Sequence, residues 1–369
     1  MTRIVLTTGG TGGHIFPALA VAEALRALEP EAELLFVGGN GPEGALAAKA
    51  GLSFVGLPAS GVFGRGLKAL AAPFWIARAF GLAVGLFRRQ RPDVVVGFGG
   101  YAGFVPVLAA RTLGIATAIH EQNSVPGVTN KILGRVVDRV FTTYPDEGRA
   151  FPAARTTRLG NPIRGGIAAR AARGDATSGK RLLVLGGSQG ARAINEAVAE
   201  VLPRLLDAGV SVRLQAGRAD FDRMRDRTAA VMAARPHVPG APTVVLENFI
   251  EDMAEAYAEA DLILARAGAT TLAEATAAGK PCLLIPFPFA THDHQAVNAA
   301  YLARAGAAVV VDQKALPGVD LAALCLELLS DSERLEAMSR ASAQAALPDA
   351  AENVAAALLD LAASKGGKR

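Results

Sequence analysis

Twice in this chain a short apolar run opens directly onto a glycine-rich turn. Ile4-Val5-Leu6 leads into TTGGTGGH at 7–14, and Leu182–Leu185 leads into GGSQGAR at 186–192. A third turn, GFGGYAG at 97–103, follows the valines at 94–96. Short apolar runs alternate with alanine-rich, helix-compatible stretches throughout. The first set is Ile4–Thr7, Leu34–Val37, Val94–Phe98, Thr117–His120 and Val140–Thr143. The second is Leu182–Leu185, Val212–Gln215, Val244–Leu246, Leu262–Leu264, Cys282–Pro286 and Ala308–Val311. Runs so uniformly apolar suit strands buried on both faces, hence parallel sheets covered by helices. The predicted fold class is α/β, with two doubly wound, Rossmann-like domains. An interdomain cleft at the carboxyl ends of the strands is the expected ligand site.

A length of 369 residues is too great for one comfortable core. Leu159-Gly160-Asn161-Pro162, followed by the polar stretch Arg170–Lys180, marks the expected boundary. Residues 1–163 read as the amino-terminal domain and 164–340 as the carboxyl-terminal domain. Residues 341–369 read as a last helix, expected to pack back on the first domain, with a solvated tail. The stretch Ser330 to Ala363 reads as helix.

Composition narrows the function classes. Net charge is +4 and aromatic residues are only 5%, which gives little basis for nucleic-acid binding. The mildly basic balance fits a phosphate-rich substrate or an anionic surface. Cys282 and Cys325 cannot build a disulfide framework or a metal cluster, which suits a reducing cytoplasm. Met1-Thr2-Arg3 runs straight into a strand, so no signal peptide is expected.

Glycines at a strand-to-helix junction let backbone amides approach a ligand, and the dipole of the following helix favours an anion. Each turn therefore reads as a packing device or a phosphate cradle. None of the three ends in Gly-Lys-Ser/Thr, so a P-loop is excluded. The second strand ends Val37-Gly38-Gly39-Asn40, without the acid that a dinucleotide ribose requires.

Polar groups gather where other strands end. His120-Glu121-Gln122-Asn123 reads as a ligand loop or a capped turn. Arg164, in Asn161-Pro162-Ile163-Arg164, could fork onto a phosphate or form an ion pair. In the run 265–274, Thr270 and Thr271 suit a phosphate-binding helix start, and Glu274 one turn on could accept both hydroxyls of a ribose. His292 and His294 hint at a metal but lack further ligands, so no metal is assigned. Asp220-Phe221-Asp222 reads as a helix cap. Residues 62–91 interleave Phe74, Trp75, Ile76, Phe80, Leu82 and Phe87 with Arg65, Lys68, Arg78, Arg88, Arg89 and Arg91. Lys68, Pro73 and Arg78 interrupt this stretch, so it does not read as a membrane span. It reads as a surface contact with anionic lipid, or as a helix packed on the sheet.

GGTGGH, GFGGYAG, HEQN, NPIR, GGSQGAR, ARAGATTLAE and PFPFATHDHQ, in this order and over essentially the whole chain, resemble the MurG family of peptidoglycan glycosyltransferases. The resemblance implies the GT-B fold and an inverting hexosyl transfer. N-acetylglucosamine would move from UDP-GlcNAc to undecaprenyl-diphospho-MurNAc-pentapeptide (lipid I), forming lipid II for cell-wall growth, cell shape and division. It implies a peripheral protein on the cytoplasmic face of the inner membrane, with UDP-GlcNAc, lipid I and an anionic membrane surface as partners. Proteins of the cell-wall machinery are candidate partners, and no cofactor is implied. By motif, donor contacts would be Thr11, Gly12, Gly13, Asn123, Arg164, Ser188, Ile250 through its backbone, Ala269, Thr270, Thr271, Leu272, Ala273, Glu274 and Gln295. His14 would be the general base. The acceptor diphosphate would meet Gly99, Gly100, Tyr101, Gly103, His120 and Glu121. The membrane contact would use Phe74, Trp75, Ile76, Arg78, Phe80, Arg88 and Arg89. One departure stands out: Leu214-Gln215 replaces a frequent His-Gln pair. Two alternatives remain, a UDP-GlcNAc 2-epimerase of the same architecture and a non-catalytic, membrane-attached nucleotide-sugar binder.

Overall fold

The apolar runs become parallel strands of two sheets. The computed structural model describes residues 1–10, 12–58, 72–172, 180–187, 191–236 and 238–366. The chain divides into two compact units, Met1–Arg164 with Pro348–Arg369, and Gly165–Leu347.

The first unit carries β1 (Arg3–Thr7), β2 (Glu33–Gly38), β3 (Ser53–Gly56), β4 (Val94–Gly97), β5 (Ala116–Glu121), β6 (Arg139–Thr142) and β7 (Thr156–Arg158). They lie in the order β3-β2-β1-β4-β5-β6-β7, and Ile4 pairs in parallel with both Leu34 and Val94. Ile4 and Leu6 enter one apolar cluster while Val5 enters another. Alternate side chains thus bury on opposite faces, which explains a strand without polar alternation. The edge strands β3 and β7 were not anticipated. Both are partly exposed and mixed in polarity, so they lack the apolar signature. Chain order reverses at β1, between β2 and β4. The turns after β1 and β4 therefore sit at the sheet's topological switch point, where such folds bind ligands. The helices are α1 (Gly12–Leu28), α2 (Glu43–Lys49), α3 (Ala72–Gln90), α4 (Gly100–Thr112) and α5 (Val128–Leu133).

The second unit repeats the plan with β8 (Lys180–Leu185), β9 (Val210–Gln215), β10 (Val244–Glu247), β11 (Leu262–Ala265), β12 (Cys282–Leu284) and β13 (Ala308–Val310), ordered β10-β9-β8-β11-β12-β13. Its switch point lies between β8 and β11. The helices are α6 (Ile167–Ala172), α7 (Arg192–Asp207), α8 (Phe221–Ala233), α9 (Met253–Glu259), α10 (Ala269–Ala277), α11 (His294–Arg304), α12 (Leu321–Ser330) and α13 (Ser332–Ala345).

The final helical stretch, expected as one helix from Ser330 to Ala363, is two. Helix α13 is capped by Asp331, which accepts the Arg334 N–H at 3.0 Å. The chain then breaks before Pro348 and resumes as α14 (Ala350–Gly366). Proline lacks an N–H and disfavours helical backbone at the residue before it, which accounts for the break. Val354, Ala355 and Leu358 of α14 are fully buried in the core cluster that holds Ile15, Val21 and Leu25 of α1. Among the described residues no helix is long and apolar enough to cross a membrane.

Candidate active site

At the switch point of the first unit two glycine turns interlock. A Cβ on Gly9 would overlap the side chain of Ala102, and one on Gly100 would strike the carbonyl of Gly9. Both glycines are therefore required for α4 to dock against the turn after β1. Gly99 lies against the imidazole of His14, and a Cβ there would sit 3.1 Å from Cε1 and Nδ1. Gly10, at φ +104°, donates its N–H to Glu43 Oε1 at 3.0 Å. Glu43 is buried and pins the turn from the side, a role the sequence did not reveal.

His14, half-buried in the first turn of α1, places Nδ1 2.9 Å from Gln122 Oε1. Gln122 Nε2 lies 3.0 Å from the Phe98 carbonyl and 3.1 Å from His120 Nδ1. His120 Nε2 lies 2.8 Å from the Gly160 carbonyl, and the ring stacks on Phe98 at 5.8 Å. His120 is fully buried, and that burial, with a smaller repulsion from His14, lowers its pKa to about 4 against the bond to Gly160.

His120 and Glu121 were expected to face a diphosphate, and the structure places them beneath the surface instead. The Glu121 carboxylate accepts N–H groups from Asn123 at 3.0 Å, Gly127 at 3.1 Å and Asn130 at 2.9 Å. A carboxylate so engaged shapes the 121–127 loop, and its charge would repel a phosphate. Gly99 and Gly103 are buried, while Gly100 and Tyr101 are half-exposed at the start of α4. The Gly99 cap position offers no side-chain bond, so the first amides of α4 have no side-chain cap. Gly13 is exposed and Gly12 half-exposed. The Arg164 guanidinium lies 4.9 Å from the centroid of the Phe16 ring. Thr11 falls outside the described residues, as does Ser188 of the second unit.

In the second unit, Gly186 and Gly187 follow β8, and Gly187 has φ +73°. Asn195 of α7 is buried beside this turn. Its Nδ2 donates to the Ala216 carbonyl at 2.9 Å and to Asp220 Oδ2 at 3.0 Å. Asp220 occupies the cap position of α8, but its side chain makes no cap bond and pairs with Arg223 at 2.8 Å instead. The expected helix cap is thus only positional. Gln215, standing beside the departure from the His-Gln pair, accepts the Ile250 N–H at 3.0 Å. The backbone donor of Ile250 is therefore already used within the protein.

Helix α10 starts after Gly268, again without a side-chain cap. Thr270, Thr271 and Ala273 are half-exposed, whereas Ala269 and Leu272 are buried and contribute mainly packing and backbone. Glu274 is only 3% exposed and accepts the Tyr257 hydroxyl at 3.2 Å. A carboxylate so deeply placed is costly unless polar partners complete it. Asn298 holds the preceding loop through the Ala267 carbonyl at 3.1 Å. Arg266 donates to the carbonyls of Ile285 and Pro286 at 2.9 and 3.2 Å and lies over the Phe287 ring at 5.4 Å. Burial lowers its pKa to about 10, so it stays cationic at neutral pH. Gln295 accepts the Phe287 N–H at 3.0 Å. Among the described residues no group of three or more His, Cys, Asp or Glu could hold a metal ion.

Helix α3 exposes Phe74 at 80% and Leu82 at 46%, with Arg78, Arg88 and Arg89 also exposed. Trp75 and Ile76 are half-buried. Phe80 packs against the core and Phe87 is fully within it, so neither belongs to the outer face. Residues 59–71, with Arg65 and Lys68, lie outside the described residues.

Two doubly wound parallel units with glycine turns at both switch points are the architecture of the GT-B glycosyltransferases, and sequence comparison gives that class a family. Residues 4–142 match the glycosyltransferase family 28 N-terminal domain and residues 181–354 the family 28 C-terminal domain. The UDP-N-acetylglucosamine--N-acetylmuramyl-(pentapeptide) pyrophosphoryl-undecaprenol N-acetylglucosamine transferase of Solidesulfovibrio magneticus is 69% identical over 99% of this chain and 100% of its own. The transferase of the same name from Nitratidesulfovibrio vulgaris strain DP4 is 53% identical over 98% of each chain. The crystal structure of Acinetobacter baumannii MurG aligns with 98% of this chain and 100% of that one, at a TM-score of 0.75 and 33% identity. The chain belongs to glycosyltransferase family 28, in its MurG branch.

Proposed function

We infer that this chain transfers N-acetylglucosamine from UDP-GlcNAc to the C4 hydroxyl of the MurNAc unit of lipid I, with inversion, to form lipid II in peptidoglycan synthesis. One observation carries the reading: 69% identity, end to end, with a transferase of that name. We assign the UDP moiety to the second unit. There the amide end of α10 with Thr270 and Thr271 would take the diphosphate, Glu274 the ribose hydroxyls, the backbone carbonyl of Ile250 the uracil, and Gln295 the sugar. Arg266 would add a desolvated cation near the same loop. With its oxygen on the Phe287 N–H, Gln295 would meet the sugar through its amide N–H groups.

In the first unit, His14 would act as general base, with Gly12, Gly13, Asn123 and Arg164 as further ligand contacts. The uncapped start of α4, with Gly100 and Tyr101, would meet the acceptor's diphosphate. As the acceptor O–H bond breaks, its proton passes to imidazole and its oxygen bonds the anomeric carbon. UDP leaves with the electron pair of the old glycosidic bond. A neutral imidazole is the side chain most often used as a general base. The chemistry uses no metal or cofactor in this reading. The outer face of α3, with Phe74, Leu82, Arg78, Arg88 and Arg89, would seat the protein on the anionic cytoplasmic face of the membrane.

The experiment combines purified protein, UDP-[¹⁴C]GlcNAc and a lipid I analogue. Label should move into a lipid product with release of UDP. Conversion of UDP-GlcNAc without acceptor would favour the epimerase, and binding without UDP release would favour the non-catalytic binder.

A further inference from the structure

His14, Gln122 and His120 form one continuous chain of hydrogen bonds that ends at two backbone carbonyls, those of Phe98 and Gly160. We propose that Gln122 sets the tautomer of His14, placing the ring hydrogen on Nδ1 and leaving the lone pair on Nε2. The inference rests on the reading of His14 as the base, because only a lone pair can accept the acceptor's proton.

The ends of the chain decide where the hydrogens go. A carbonyl oxygen only accepts. The Gln122 group 3.0 Å from the Phe98 carbonyl must therefore be the amide nitrogen. The ring nitrogen of His120 that lies 2.8 Å from the Gly160 carbonyl must likewise carry hydrogen, so His120 is an Nε2–H tautomer. Burial keeps that ring neutral at neutral pH, which leaves a lone pair on its Nδ1. The second amide hydrogen of Gln122 points between that lone pair, 3.1 Å away, and the His120 carbonyl, 3.3 Å away, both of which only accept it. Both Gln122 hydrogens are then committed. Its remaining atom is an oxygen, and His14 Nδ1, 2.9 Å away, must donate to it. A neutral imidazole has one N–H, so His14 Nε2 is bare. The two histidines hold opposite tautomers, and the glutamine between them enforces the difference.

Gln122 is only 1% exposed and His120 is fully buried, so water does not compete for the Gln122 amide or the His120 ring. The backbone of Gly99 packs on the His14 ring and restrains its orientation. Gln122 and His120 are thus positioning residues, acting on the reaction only through His14.

The test reads the tautomer directly. In protein carrying ¹⁵N-labelled histidine, long-range ¹H–¹⁵N spectra distinguish a protonated ring nitrogen from a bare one. Wild-type protein near pH 8 should show Nδ1–H for His14 and Nε2–H for His120. In Gln122→Met, of similar volume, His14 should lose that selection and move toward the Nε2–H form. In Gln122→Glu, whose carboxylate still accepts from Nδ1–H, His14 should keep its Nδ1 hydrogen. Turnover should follow the tautomer. Gln122→Met should lower kcat on the order of 10²-fold or more, as a wrong tautomer does in other imidazole bases, with KM for UDP-GlcNAc little changed. His14 found as Nε2–H in the wild-type protein, or unchanged as Nδ1–H in folded Gln122→Met, would overturn the inference. His14→Ala turnover tests the base reading separately. Near-wild-type turnover there would remove the base role while leaving the measured tautomer to judge this proposal.

Discussion

The turn after β1 is pinned from one side by the buried Glu43 and backed by neutral side chains. Behind it lie two histidines, a glutamine and a second glycine turn. The turn after β8 has the same strand, glycines and helix start, yet the neighbouring loop after β11 brings Arg266, a half-buried cation with carbonyls and an aromatic ring for company. The local motif is shared, and the chemistry comes from the strands alongside. Gln122 follows β5 and Arg266 follows β11. A neutral hydrogen-bonded network favours directing a proton, whereas a desolvated guanidinium and a helix start without a side-chain cap favour holding an anion. The contrast is the basis for proposing proton transfer in the first unit and nucleotide binding in the second.

The largest expected effect breaks the first half of that contrast. His14→Ala should lower kcat by roughly 10²- to 10⁴-fold, the usual worth of a general base, with little change in KM for UDP-GlcNAc. Steady-state kinetics with both substrates varied checks this, and a loss confined to KM would move His14 from chemistry to binding. The second half is tested by Glu274→Ala. Hydrogen bonds to a charged group contribute about 1.5–3 kcal/mol, so KM for UDP-GlcNAc should rise roughly 10- to 100-fold, more than kcat falls. An unchanged KM would take the ribose away from Glu274.

The smallest effect concerns stability rather than rate. His120 titrates at about 4 when folded, against about 6.5 for an unfolded histidine. Between those values the unfolded chain binds a proton that the folded chain refuses. Stability must therefore fall as pH drops from about 6.5 to about 4, by on the order of 3 kcal/mol from this group. Urea unfolding at several pH values should show a shallower decline in His120→Gln than in wild type, and parallel declines would remove His120 as the cause.

Much of this was legible in the sequence because it is local. Fully buried parallel strands leave uninterrupted apolar runs, and strand-to-helix turns at a switch point leave glycines. What escaped was set by distance along the chain or by edge position. His14 and Gln122 are 108 residues apart, and no local pattern links them. Glu43 lies 33 residues from Gly10, and only the folded chain brings its carboxylate to the side of the turn. His120 and Glu121 looked like ligand groups because polar residues at a strand end usually face solvent. Here Glu121 binds the loop that follows it, and His120 is tied to the Gly160 carbonyl. In α3 the pattern gave the aromatic content, but only packing separated exposed Phe74 from buried Phe87.

The pairing of α14 with α1 has a bearing on how the protein is made. The core of the first unit is discontinuous, because Val354, Ala355 and Leu358 complete a face laid down by residues 15–25. During synthesis, the nascent amino-terminal sheet must wait on the ribosome for its final helix. The intervening unit, Gly165–Leu347, is one unbroken segment and has all its parts before that helix emerges. The first unit is thus begun before the second and closed after it.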